Sequence, residues 1–77
     1  MAKIRNQKYA NEFARRLNAR IEKLRIGQAR LSDITGISQG SISKYIRGES
    51  IPRCDTATKL AFGLAMPVED LIDFEVD

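Results

Sequence analysis

The residues best equipped for chemistry lie in one stretch, Gln28 to Gly48, which reads QARLSDITGISQGSISKYIRG. Taken at helical spacing from Ser38 onward, Ile42, Tyr45 and Ile46 share one face. Gln39, Gly40, Ser43, Lys44 and Arg47 fall on the opposite face. That face offers an amide, a hydroxyl and two cations, and no carboxylate. These groups make directional hydrogen bonds and attract anions. An amide near the start of a helix, with Lys and Arg further along, suits the donor and acceptor edges in a DNA major groove. The plain alternative is a solvated helix face, which has the same composition.

The inventory narrows the chemistry further. The chain has no histidine, the commonest general base and metal ligand. Its single cysteine, Cys54, cannot form an intrachain disulfide or a Cys/His zinc site, and fits a reducing cytoplasm. No glycine-rich phosphate loop is present. The expectation is a protein that is not an enzyme and carries no cofactor or metal. No apolar run approaches the roughly 20 residues of a membrane span, and no secretory signal is visible. A hydrophobic content of 43% with 30% charged residues is that of a globular domain. The net charge of +3 is unevenly spread. Residues 1 to 30 carry nine Lys and Arg against two Glu, and residues 31 to 77 carry four against eight acids. The basic half predicts a polyanion-facing surface, and the acidic end should point away from phosphate. Solubility alone also explains such segregation.

The polar face needs elements to hold it. Leu31 and Ile34 give a first short helix its apolar stripe, and Gly36 supplies the left-handed residue that ends it. Ile37 returns to the core, Ser38 caps the second helix, and Gly48 closes it. Upstream, Tyr9, Phe13, Leu17, Ile21 and Leu24 form the core seam of a long helix from Asn6–Lys8 to about Leu24. Residues 1 to 7 read as a frayed arm whose Lys3 and Arg5 either touch phosphate or do nothing. Downstream, Pro52 forces a turn, and a fourth helix runs from Arg53 or Asp55 to Leu64 with Leu60, Ala61 and Leu64 inward. A fifth starts near Pro67, with Val68, Leu71 and Ile72 as its apolar face. Cys54 is expected to be a buried, inert thiol. Seventy-seven residues allow one small core, and such chains often gain stability by dimerising.

In this register the chain resembles the helix-turn-helix domain of bacteriophage repressors and Cro proteins, the lambda-repressor-like or XRE family. The resemblance rests on Gln28, Leu31, Ser32, Gly36, Ile37, Ser38, Ile42, Tyr45, Arg47 and Gly48. It continues without a gap through Pro52, Lys59-Leu60-Ala61, Leu64 and Leu71-Ile72, covering roughly residues 13 to 73. It implies an all-α, five-helix domain over residues 8–74, with the helix-turn-helix unit at about 28–48 and an acidic tail at 75–77. Gln28 resembles the family glutamine that hydrogen-bonds a DNA phosphate. Gly27 stands where the family usually places a Thr or Ser cap, which is weaker. Many relatives pair an Arg at the position of Ile21 with a Glu at that of Ile46. Here both are isoleucine, an apolar exchange that can be as stable as the ion pair.

The resulting expectation is a sequence-specific double-stranded DNA-binding regulator, as in phage or prophage repressors, that reads an operator as a cytoplasmic homodimer. Gln39, Gly40, Ser43 and Lys44 would read base edges; Gln28, Arg47 and Arg53 would hold phosphates, with Glu49 pointing away. The alternative is a modulator or anti-repressor of the same fold whose partner is a second repressor protein. Its candidate interface is Phe62, which takes a position often Lys in the family, with Phe74 and Val76.

Overall fold

Four of the five helices among the described residues have ten residues or fewer, too short to hold alone, so the fold follows from which faces they cover. The computed structural model describes residues 7–73. The expected arm residues Lys3 and Arg5, and Phe74, Val76 and the acidic tail, lie outside the described residues. In chain order the helices are α1 (Gln7–Leu24), α2 (Gln28–Thr35), α3 (Gln39–Ile46), α4 (Cys54–Gly63) and α5 (Val68–Ile72). The described residues are all-α, as expected.

α1 is the spine. It packs on α3 along one flank and on α5 along the other, while α2 bridges α3 and α4. Phe13, Leu17, Leu31, Ile42, Leu60, Ala61, Leu64 and Leu71 form the core, each essentially removed from water. Ala10 and Ala14 complete the buried stripe of α1. Phe13 meets Tyr45 edge to face, with ring centroids 6.3 Å apart. Gly63 packs against α2 with no room for a side chain: a β-carbon there would stand 2.6 Å from the Thr35 methyl.

Three expectations about burial do not hold. The α1 seam loses its cover toward its end: Leu17 is buried, Ile21 half-buried and Leu24 40% exposed. Ile34 lies beside Gly63 of α4 but remains 43% exposed, so Leu31 is the one fully buried residue of α2. Cys54 is exposed rather than buried, because it opens α4 in the first turn, one turn before the buried Ala57. Phe62 points outward as expected and is 83% exposed.

The basic half of the sequence also divides its labour. Arg20 donates from Nε to the Leu64 carbonyl at 2.9 Å and from Nη2 to the Ala65 carbonyl at 2.8 Å. Arg16 donates to the Asp70 carbonyl at 2.9 Å, and both Arg15 and Arg16 pair with Glu12. Tyr9 donates to the Ile72 carbonyl at 2.6 Å. These groups satisfy carbonyls at the ends of α4 and α5 that have no partner within their helices. Part of the positive charge read as a polyanion-facing surface is therefore structural.

Candidate nucleic-acid interface

The turn between α2 and α3 is built from short-range chemistry. Gly36 takes the left-handed conformation, φ 77°, and its N–H caps α2 on the Ser32 carbonyl. The Ser32 hydroxyl donates to the Ile37 carbonyl, and the Thr35 hydroxyl accepts from the Ile37 N–H at 3.2 Å. Ser38 then caps α3, its oxygen accepting from the Ser41 N–H at 3.2 Å. Gly27 precedes α2 without a side-chain cap, the weaker start that a glycine predicts.

α1 holds the far end of α3. The Asn18 amide donates to the Ile46 carbonyl at 3.1 Å, and the Gln7 amide donates to the Gly48 carbonyl at 2.9 Å. These two side chains fix the last turn of α3, while Ile42 anchors its middle. Neither Gln7 nor Asn18 stood out in the sequence. The available signal was an Asn beside the apolar seam, one residue from Leu17. Ile21 and Ile46 both sit half-buried against the core.

With α3 so fixed, Gln39, Gly40 and Lys44 are exposed and Ser43 is half-buried. Ser43 meets Gln28: its hydroxyl donates to the Gln28 carbonyl oxygen at 2.6 Å. The first residue of α2 is thus joined to the middle of α3. Arg53, exposed, precedes α4 in the N-cap position.

Arg47 is placed differently from expectation. Glu49 does not point away but accepts two hydrogen bonds from the Arg47 guanidinium, from Nε at 2.8 Å and from Nη2 at 3.2 Å. Arg47 ends α3 and the chain turns back at Gly48, which brings the two side chains together. The Arg47 hydrogen bonds hold the Glu49 carboxyl below the usual glutamate range, with a smaller pull from Lys44. The same contact raises Arg47 further above its ordinary value.

A helix-turn-helix family model matches residues 17–71, from the middle of α1 into α5. The chain belongs to the helix-turn-helix family. No curated protein and no solved structure matches it at a significant level. This helix-turn-helix protein is a DNA-binding regulator by family, and the family is not one of enzymes. Among the described residues no helix is long and apolar enough to cross a membrane.

Proposed function

We propose that the protein is a transcriptional repressor of the phage or prophage type that binds its operator as a homodimer, with α3 in the major groove. The observation that carries this reading is the placement of Gln39, Gly40 and Lys44. They stand exposed on α3, Gln39 at its start and Gly40 and Lys44 turned away from the buried Ile42, beside a Ser43 tied to the start of α2. Gln39 suits the paired donor and acceptor of adenine, and Lys44 suits the acceptors of guanine. Gly40 lets the backbone come close to the bases. Gln28, Arg47 and Arg53 hold phosphates, contacts that set the register without specifying sequence. One short helix reads few base pairs, so two copies on a pseudo-palindrome supply the rest.

Binding to duplexes from the DNA flanking the gene, titrated by fluorescence anisotropy, tests this. A dimer that neutralises about 6–10 phosphates loses about 10³–10⁵ in affinity between roughly 50 and 200 mM salt. Absence of duplex binding at low salt removes the repressor reading. Exposed Phe62 then favours the second reading, a modulator that docks on another repressor.

A further inference from the structure

The contact between Gln28 and Ser43 does more than brace two helices. A serine hydroxyl has one proton to give and lone pairs to receive with. Here the proton is directed to the Gln28 carbonyl oxygen, 2.6 Å away. What remains of the Ser43 oxygen is acceptor only. The Gln28 amide is polarised in the complementary sense, with its oxygen turned to Ser43 and its two N–H donors left for an outside partner. Gln28 is exposed at the first position of α2, where backbone N–H groups also favour an anion.

We infer that Gln28, through this bond, makes Ser43 an obligate hydrogen-bond acceptor, so that Ser43 selects a base bearing an exocyclic amino group in the major groove. The inference rests on the operator-reading role proposed for α3. Only adenine N6 and cytosine N4 present donors on that edge, whereas guanine O6 and N7 and thymine O4 are acceptors. Against those, an acceptor-only Ser43 places lone pair against lone pair. The phosphate contact and the base preference are one arrangement. If the Gln28 amide were reversed, its oxygen would face the phosphate and Ser43 would become free to donate. Holding a phosphate with the N–H groups therefore forces the orientation that takes up the Ser43 proton. Gln28 is a positioning residue for specificity as well as a phosphate ligand.

The test uses site selection from random duplexes, then single-atom changes in the selected site. The position at which Ser43→Ala loses its preference identifies the base pair that Ser43 reads. At that pair, duplexes are made with the amino group deleted, as purine for adenine or 2-pyrimidinone for cytosine. The wild type should lose about fivefold in affinity, the value of one ordinary hydrogen bond, and Ser43→Ala should lose nothing. Gln28→Glu keeps an acceptor for the Ser43 proton but repels phosphate, so it should bind all sites more weakly yet keep the fivefold sensitivity. Gln28→Ala should bind more weakly and lose the sensitivity, since Ser43 can then rotate. Circular dichroism melts of each variant confirm that α2 is intact.

An amino deletion harmless to the wild type overturns the inference. So does a Gln28→Ala variant as sensitive as the wild type, or a Ser43→Ala variant with an unchanged site. In all three cases the operator-reading role still stands on Gln39 and Lys44. If the wild type selects no sequence, that role fails and the inference falls with it.

Discussion

Arg47 and Glu49 form a two-bond ion pair across the end of α3, with Nε 2.8 Å and Nη2 3.2 Å from the two carboxylate oxygens. The Glu49 carboxylate occupies the guanidinium in the planar mode that a phosphate would use. A phosphate that takes the same Nε–Nη2 edge of Arg47 must displace it. Glu49→Gln should tighten binding to every duplex severalfold, since both competition and a negative charge near the backbone are removed. Arg47→Ala should weaken binding to all sequences alike, flatten the salt slope by about one per subunit, and abolish most of the gain from Glu49→Gln. Titrations of the two single variants and the double variant over a salt series check this. A Glu49→Gln variant that gains only on the operator contradicts a phosphate role for Arg47.

Ile21 and Ile46 sit half-buried against the same core. If they meet, Ile46→Glu should cost about 2–3 kcal/mol, because it leaves a carboxylate partly buried without its partner. Adding Ile21→Arg should recover a good part of that loss. Denaturant melts of the three variants provide the cycle. A double variant no more stable than Ile46→Glu shows that the two side chains do not meet.

The elements were legible wherever periodicity and cap chemistry agreed. Gly36, Ser38 and Ile42 locate the turn and α3 without ambiguity, because each satisfies a local requirement within four residues. What was not legible depends on how far neighbours extend. Leu24 and Ile34 continue apolar stripes, but a stripe does not reveal where its cover stops. Cys54 opens its helix rather than lying inside it. In the candidate interface, the exposure of Gly40 and Lys44 on α3 follows from spacing alone. Its attachments to Gln7, Asn18 and Gln28 do not, since they join residues 15 to 41 positions apart. The Arg47–Glu49 pair depends on the chain reversal at Gly48, which composition does not encode.

Ala65 holds a left-handed conformation, φ 55°, at the end of α4, where its carbonyl receives Arg20. The β-carbon makes this backbone unfavourable by about 1 kcal/mol, a cost that glycine avoids. Ala65→Gly should therefore raise Tm by about 4–8 °C. Gly63→Ala should act in the opposite direction, costing about 1–2 kcal/mol, since the new methyl collides with Thr35. Thermal melts distinguish the two, and an Ala65→Gly variant that melts lower refutes the strain assigned to that turn.

Glu12 accepts from both Arg15 and Arg16, and these bonds lower its pKa from 4.5 to about 2. A carboxyl with a lowered folded value contributes its stability fully above the unfolded value. That contribution is lost as pH falls through the folded value. The contribution of Glu12 should fade between about pH 4.5 and 2, and it should be small because the pair faces water. Glu12→Gln should melt slightly lower than the wild type near neutral pH and converge with it near pH 2. A gap that widens toward acid reverses the sign.

If the exposed face of α3 reads base edges, Lys44 is its most discriminating group. Selection of random sites by the wild type and by Lys44→Ala tests it directly. The account predicts that the variant loses its base preference at one position per half-site, with a cost of about 1–3 kcal/mol on the operator and every other position retained. An unchanged selected site, whether or not affinity falls, would contradict the assignment of that face.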